Sequence, residues 1–287
     1  AGGAVDKTRL KNQRAHDQLG FKGQLHDNPS ISAILPHGCL TFIPPACQHT
    51  AKEPRGNTPM RYPTIALWGD SLGRGIDFDQ VRGRYAVLRQ GFYRLLEESG
   101  LLKIDNHARF GATVVEGLAD FEATGDIEAE YVALEYGGND CNMPWAQIAE
   151  DPHGQYDAAT PLAVFEKTLT AFAEAVRARN LKPLLVTPPP LIAERFVDWV
   201  SQGLNKANIL AHLGDVQHVY RWQERYSVAV RRVADSLRCK LFDARDLLLA
   251  AGDYPALVGV DGMHLNEQGH AYLARAVEQR LPFLTED

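Results

Sequence analysis

A serine flanked by glycines lies in the segment G-D-S-L-G at residues 69–73. Glycines on both sides let a strand turn sharply and present the serine hydroxyl at the turn. A serine hydroxyl is a weak nucleophile until a base takes its proton. The segment therefore predicts a nucleophile at Ser71 only if a base is brought to it, and otherwise it fits an N-cap after a strand.

An acid and a histidine at close spacing lie near the other end of the chain, Asp261 and His264. An aspartate three residues before a histidine can hold one imidazole nitrogen, which leaves the second nitrogen free to accept a proton. The chain has ten histidines, so this pair alone would also fit a surface loop.

Two further segments contain groups that could stabilise negative charge. The sequence G-G-N-D at residues 137–140 follows an apolar run, and the side chain of Asn139 can donate to a developing oxyanion. Glycines there allow the backbone to approach a substrate closely. The backbone N–H of Gly111 is a second possible donor, although a turn glycine explains it equally well alone.

Alternating strands and helices must position these groups. Short apolar runs that end in glycine or proline are typical of buried parallel strands, and apolar residues at three- and four-residue spacing indicate helices. The predicted strands are 64–68, 131–136, 182–187 and 240–242, and the predicted helices are 85–98, 160–179 and a last helix capped by Asn266 and ending near 281.

This alternation predicts an α/β fold with a parallel sheet that is covered on both faces. Ligands of such sheets bind beyond the carboxyl ends of the strands. Ser71, Asn139 and His264 each follow a predicted strand or precede the last helix, so we expect them to meet at that edge.

The first 62 residues differ from the rest, because they mix Gly, Pro, Asn, His and Lys without sustained periodicity. We predict an irregular N-terminal arm at 1–62, followed by one domain at 63–287. The arm contains possible Zn²⁺ ligands, but their spacing is not that of a standard zinc finger, and we expect no metal site. These possible ligands are His37, Cys39, Cys47 and His49.

Composition bounds the class of protein and its partners. The 287 residues are 45% hydrophobic, which is ordinary for a soluble globular protein, and the net charge of −6 argues against a nucleic-acid partner. No apolar run approaches the ~20 residues that span a bilayer. Four scattered cysteines favour a reducing compartment, so we expect a cytoplasmic protein, with export of a processed form left open.

Taken in order, these segments resemble the four sequence blocks of the SGNH hydrolase superfamily, also called GDSL esterases and lipases. Residues 69–72 resemble the nucleophile block, and Asn106 with Gly111 resembles the glycine block. Residues 137–140 resemble the G-x-N-D block, and residues 261–264 the D-x-x-H block. The resemblance covers roughly residues 63–285, and segments 136–141 and 213–222 are similar to a bacterial subgroup.

The resemblance implies a role for each of these residues. Ser71 would be the nucleophile, His264 the base and Asp261 its orienting partner. The N–H groups of Ser71 and Gly111 and the side chain of Asn139 would form the oxyanion hole. It also implies a flavodoxin-like three-layer α/β/α sandwich without a cofactor.

The expected activity is that of a serine esterase that cleaves a small carboxylic ester through an acyl-enzyme intermediate. Segment 188–222 looks like a helical cap over the site, so we expect a short acyl group such as acetyl. Five residues near the blocks are predicted to line the substrate pocket: Asp70, Cys141, Trp145, Trp222 and Met263. Gly73 departs from the family, in which many members have Ser or Thr there. The sequence does not indicate an oligomeric state.

Two alternatives remain open at this point. Residues 69–73 also fit the G-x-S-x-G turn of α/β-hydrolases, but that fold needs several strands before its nucleophile and residues 1–63 do not supply them. The close spacing of Asp261 and His264 likewise favours the SGNH superfamily. The second alternative is a non-catalytic binding protein on the same fold, because fold alone does not fix function.

Overall fold

A five-stranded parallel sheet forms the centre of the protein. The structure, a computed structural model, describes residues 63–285. The sheet has the order β4-β1-β5-β6-β7, and β2 and β3 form a separate antiparallel hairpin. The strands are β1 (Thr64–Gly69), β2 (Ile76–Asp79), β3 (Arg84–Val87), β4 (Lys103–Asn106), β5 (Tyr131–Glu135), β6 (Lys182–Val186) and β7 (Lys240–Phe242).

Helices connect the strands and cover both faces of the sheet. They are α1 (Ser71–Arg74), α2 (Phe92–Glu98), α3 (Val114–Ala123), α4 (Trp145–Glu150), α5 (Leu162–Ala178), α6 (Ala193–Val200), α7 (Lys206–Leu213), α8 (His218–Leu237), α9 (Ala244–Leu249) and α10 (Glu267–Thr285). A 3₁₀ turn (Tyr254–Leu257) precedes α10.

Successive side chains of each central strand enter two different cores. Trp68, Val132 and Leu134 share one buried cluster with residues of α3, α5 and α8. Leu67 and Ala133 belong to a second cluster with residues of α2 and α10. Because both faces of the strands are buried, the strands read as nearly continuous apolar runs. The predicted three-layer α/β/α sandwich with a central parallel sheet is confirmed.

The prediction of a helix over residues 85–98 was wrong in its first half. Residues 84–87 form β3, in which Tyr85 pairs with Phe78 of β2 across a turn that contains Gly83. The two rings contact each other edge to face. This cross-strand pairing outweighs the helix-like spacing, and the helix begins only after Gly91.

The start of the last helix is as predicted. The side chain of Asn266 accepts a hydrogen bond of 3.0 Å from the N–H of Gly269, which is the geometry of an N-cap.

Another group of helices forms a cap that has its own small core. Residues of α4, α6, α7 and the start of α8 form one buried cluster, in which Phe196, Val197, Ile209 and Val219 take part. Most of its buried members lie within residues 188–222, the segment predicted as a cap.

Some of the predictions concern residues that the structure does not describe. The arm at 1–62 and the possible zinc ligands His37, Cys39, Cys47 and His49 lie outside the described residues. Among the helices within 63–285, none combines the length and the apolar character needed to cross a bilayer.

Candidate active site

Three neighbouring strands deliver three of the predicted residues to one edge of the sheet. Gly111 follows β4, Ser71 follows β1 and Asn139 follows β5, and these strands are adjacent in the order β4-β1-β5. His264 lies in the loop before α10. The carboxyl-terminal edge of the sheet is where ligands of such folds bind.

Ser71, His264 and Asp261 form one hydrogen-bonded chain. The Ser71 hydroxyl donates to His264 Nε2 at 2.8 Å, and His264 Nδ1 donates to Asp261 Oδ2 at 2.5 Å. Asp261 is fully buried and its Oδ1 accepts from the backbone N–H groups of Met263 and His264, both at 3.0 Å. Because a carboxylate only accepts, the imidazole proton lies on Nδ1 and Nε2 is free to take the serine proton.

The electrostatics of this pair favour charge separation. Burial opposes ionisation of Asp261, but the charge and hydrogen bond of His264 and the backbone donors hold the pKa of Asp261 below its usual value. Burial likewise opposes protonation of His264, yet the charge and hydrogen bond of Asp261 raise the pKa of this imidazole above its usual value. An imidazolium formed during a reaction is therefore stabilised where it forms.

The turn that presents Ser71 depends on close packing around it. Asp70 is the N-cap of α1, and its Oδ1 accepts from the N–H of Leu72 at 3.0 Å. A Cβ at Gly73 would lie 2.8 Å from the Cβ of Ala108, so a serine or threonine at this position would collide. The departure from the family at Gly73 therefore follows from close packing against the segment after β4.

A second carboxyl group lies directly beneath the turn. Glu135, at the end of β5, is buried, and its Oε2 accepts from the N–H groups of Asp70 and Gly73 at 3.2 and 3.3 Å. Burial, and then the neighbouring Asp70, raise the pKa of Glu135 well above its usual value. Beside the Asp70 carboxyl group, the neutral form of Glu135 is therefore favoured.

The three predicted oxyanion donors differ in their present partners. The Asn139 amide donates to Asp70 Oδ2 at 3.0 Å and to the carbonyl of Ala112 at 3.2 Å. The N–H groups of Ser71 and Gly111 have no hydrogen-bond acceptor within residues 63–285. Gly111 has φ 78°, a left-handed conformation that favours glycine. The turn that orients its N–H would therefore be strained with any other residue at this position.

All five predicted pocket residues line the cavity that contains Ser71 and His264. This cavity has a volume of about 200 Å³, and its wall includes apolar side chains of the cap, among them Phe196 and Leu213. The indoles of Trp145 and Trp222 have their N–H groups bonded to Asn142 Oδ1 and the Cys141 carbonyl. Met263 completes the wall beside His264.

Asp70 and Cys141 are also held by internal hydrogen bonds. The carboxylate of Asp70 bonds Leu72 and Asn139, so it positions neighbours and is not free for a ligand. The thiol of Cys141 donates to the carbonyl of Gly138 at 3.2 Å, and burial raises the pKa of this thiol well above its usual range. Cys141 is therefore an uncharged wall residue.

Sequence reasoning missed four residues of the site: Tyr85, Phe110, Glu135 and Gln223. Tyr85 was hidden by the wrong helix prediction, and Phe110 and Gln223 carry no pattern that marks them. Glu135 did carry a signal, because a carboxylate in the apolar run Y-V-A-L-E demands a special environment.

The sequence matches the model of the GDSL-like Lipase/Acylhydrolase family over residues 67–272, which is most of the chain. The chain belongs to this family. Its members are hydrolases of ester bonds, and this chain is accordingly an ester hydrolase. No curated protein sequence matches the chain significantly.

Solved structures similar to this GDSL-family chain share its fold at low identity. A lipase/acylhydrolase from Enterococcus faecalis is 18% identical with a TM-score of 0.51, over 76% of this chain and 96% of that one. A carbohydrate acetylesterase from Sinorhizobium meliloti is 18% identical with a TM-score of 0.54, over 77% and 99%. An acetylxylan esterase from Geobacillus stearothermophilus is 18% identical with a TM-score of 0.50, over 76% and 94%.

The family and the sheet order decide between the two esterase folds considered from the sequence. Within the described residues a single strand, β1, precedes Ser71, whereas the α/β-hydrolase turn follows several strands. The alternative of an α/β-hydrolase-type esterase is therefore dropped, and so is that of a non-catalytic binding protein, because the family is enzymatic.

Proposed function

We propose that the chain is a serine esterase in which Ser71, His264 and Asp261 act as a catalytic triad. The observation that carries this proposal is the continuous hydrogen-bond chain from Ser71 Oγ through both nitrogens of His264 to buried Asp261. Ser71 and His264 share one of these bonds although they are 193 positions apart in sequence, so the fold brings them together at the sheet edge.

In the acylation step, Ser71 Oγ attacks the carbonyl carbon of the ester while its proton passes to His264 Nε2. Asp261 keeps the imidazole in the required tautomer and stabilises the imidazolium. Collapse of the tetrahedral intermediate breaks the bond to the alcohol oxygen, which takes the proton from His264 Nε2. An acyl group then remains on Ser71.

Deacylation repeats these steps with water. His264 accepts a proton from water as the water oxygen attacks the acyl-enzyme carbonyl, and then returns that proton to Ser71 Oγ. The carboxylic acid product leaves and the triad is restored. The cycle uses acid–base and nucleophilic groups of the chain.

The oxyanion of both intermediates would be held by the N–H groups of Ser71 and Gly111 and the amide of Asn139. The two backbone groups have no acceptor among residues 63–285, so they are available to a ligand. Asn139 would exchange its longer bond, that to the Ala112 carbonyl, for the oxyanion.

The substrate would be a small ester with a short acyl group. The cavity around Ser71 is apolar and covered by the cap, which limits its depth. Two proteins of similar fold are described as acetyl-removing enzymes, a carbohydrate acetylesterase and an acetylxylan esterase. An acetyl group is therefore the first acyl group to test.

Covalent labelling tests the nucleophile. A fluorophosphonate probe should label the protein at one site, and mass spectrometry should locate the adduct on Ser71. Ser71→Ala should lose both the label and the hydrolysis of p-nitrophenyl acetate, because no other hydroxyl has the His264 base.

The matched control is Ser99→Ala, which removes an exposed serine at the end of α2. It should keep the label and the activity. Labelling that persists in Ser71→Ala, or an adduct mapped to another serine, would overturn the proposed nucleophile.

A further inference from the structure

The hairpin β2-β3 brings a tyrosine hydroxyl to the buried acid of the triad. Tyr85 lies on β3, and its hydroxyl donates to Asp261 Oδ2 at 3.1 Å. The same oxygen accepts from His264 Nδ1. With the two backbone donors on Oδ1, the carboxylate of Asp261 accepts four hydrogen bonds, and Tyr85 provides the one that comes from a distant element.

The ring of Tyr85 also covers the imidazole. Its centroid lies 5.0 Å from that of His264 and 5.2 Å from that of Phe110, a wall residue of the substrate cavity. On the other side, Trp199 of the cap helix α6 lies edge-on to Tyr85 at 6.3 Å. Tyr85 is therefore fixed between the triad and the cap.

The hydroxyl stays protonated over the whole working pH range. Burial, and then the negative charge of Asp261, raise the pKa of Tyr85 well above its usual value. A neutral phenol that faces a carboxylate can only donate to it, so the bond to Asp261 is retained wherever His264 titrates.

We propose that Tyr85 is a positioning residue of the triad, which holds the Asp261 carboxylate and moderates its charge toward His264. This proposal rests on the proposed function, because it assumes that His264 is the general base. Tyr85 does not touch the reacting atoms and acts through Asp261.

Removal of the Tyr85 hydroxyl should shift the pH dependence of kcat/KM in one direction. Four ionisable groups besides Tyr85 influence His264: Asp261, Asp70 and Asp77 stabilise its charged form, and His270 is a neutral neighbour whose pKa burial lowers to about 4. Loss of the Tyr85 hydroxyl leaves more of the Asp261 charge to attract the imidazolium. The pKa of His264 then rises, and the acid limb of kcat/KM moves to higher pH.

The test compares Tyr85→Phe with the unchanged protein on p-nitrophenyl acetate between pH 5 and 9. Tyr85→Phe keeps the ring and its contacts and removes only the hydroxyl. We expect kcat to fall about tenfold, since a hydrogen bond to a charged group is lost. The acid limb should move up by roughly 0.5 pH unit, with little change in KM.

Tyr272→Phe is the matched control, because it also removes one hydroxyl that bonds at 3.1 Å, here to the carbonyl of Leu247. It should leave kcat and the pH profile unchanged. Tyr85→Leu, which removes both the hydroxyl and the ring, separates packing from hydrogen bonding, and thermal unfolding of each variant reports on folding.

The possible outcomes distinguish failure of this inference from failure of the proposed function on which it rests. A shifted limb in Tyr85→Phe alone supports the positioning role. An unshifted limb with full kcat in Tyr85→Phe, while His264→Ala and Ser71→Ala are inactive, overturns it and leaves the triad standing. Tyr85→Leu losing activity where Tyr85→Phe does not would also overturn it, because packing alone would then explain the residue. Activity in His264→Ala would overturn the proposed function itself.

Discussion

At the scale of single residues, Asn139 would have to exchange one of its hydrogen bonds during a reaction. Its amide donates to two oxygens, Asp70 Oδ2 and the carbonyl of Ala112. Both neighbours are acceptors, so the amide nitrogen must face them and the orientation of the side chain is fixed chemically. The bond to Asp70 holds the amide in place while the bond to Ala112 can be replaced by an oxyanion.

Substitution of Asn139 by alanine should therefore lower kcat much more than it changes KM. Loss of one oxyanion donor typically costs about 10²–10³ in kcat, or about 3–4 kcal/mol, because the donor acts mainly in the transition state. Steady-state kinetics on p-nitrophenyl acetate would measure both constants. A kcat close to that of the unchanged protein would show that Asn139 serves only the turn after β5.

Asn142→Asp offers a comparison three residues away, at a side chain that accepts from the Trp145 indole and, within residues 63–285, donates no hydrogen bond to the site. A carboxylate can keep accepting from the indole, so this variant should affect KM more than kcat. If both variants lowered kcat equally, a general disturbance of the cavity wall would be the better explanation.

At the scale of elements, the end of β5 supports the turn that carries Ser71 through a buried acid. Glu135 receives two backbone N–H groups from the turn after β1 and contacts the Asp70 carboxyl group. A neutral carboxylic acid suits this position because it can accept from the backbone and donate to Asp70. An ionised one would place two charges together in the core.

Glu135→Gln should make the protein less sensitive to rising pH. In the unfolded chain Glu135 loses its proton near the ordinary glutamate value, whereas in the folded chain it retains the proton to higher pH. Stability is therefore lost as pH rises between these two values. Glutamine does not titrate and keeps the same bonding pattern, so the variant should gain stability relative to the unchanged protein as the pH rises above the ordinary glutamate value.

Urea unfolding at several pH values would measure this gain. Glu130→Gln is the control, because Glu130 lies just before the same strand in an exposed ion pair with Lys182 and shows no such burial. Parallel stability curves for Glu135→Gln and the unchanged protein would show that Glu135 is not held neutral.

The elements differ in how readily their sequences show them. β5 and β6 were predicted closely, because strands buried on both faces are short apolar runs, and the short edge strand β7 was predicted with its observed bounds. β4 was missed: its sequence K-I-D-N belongs to an edge strand, with one apolar face and polar side chains toward solvent. The hairpin was missed because Tyr85 and Leu88 have a spacing that also fits a helix, and only the pairing with β2 decides between them.

The residues of the site likewise differ in how readily the sequence shows them. Ser71, Asn139, Asp261 and His264 lie in short motifs whose chemistry is readable from residue type and order. Tyr85 acts through a partner 176 positions away, and no local pattern contains that distance. Sequence reasoning thus finds the groups proposed to react and misses the groups that hold them, because the latter are defined by tertiary contacts.

At the scale of the whole molecule, the cap and the sheet edge together determine which esters can reach Ser71. Residues 188–222, predicted as a cap, provide much of the cavity wall, including Phe196, Leu213 and Trp222. The cavity volume is about 200 Å³. An apolar cavity of about 150 Å³ holds one benzene molecule, so a cavity of this size favours the proposed short acyl group over a long fatty chain.

Esters of one alcohol with acyl chains of rising length should therefore be hydrolysed in a clear order. We expect kcat/KM for p-nitrophenyl acetate and butyrate to exceed that for the decanoate and palmitate by at least about tenfold, a difference of about 1.4 kcal/mol in transition-state binding. Trp222→Ala removes an indole from the wall and should raise the decanoate-to-butyrate ratio, because the space it leaves admits a longer chain. Val228→Ala, at an exposed position of the same helix α8, is the control and should leave that ratio unchanged. A higher kcat/KM for palmitate than for butyrate in the unchanged protein would contradict the short-acyl proposal. An unchanged ratio in Trp222→Ala would show that the wall at this position does not limit the acyl chain.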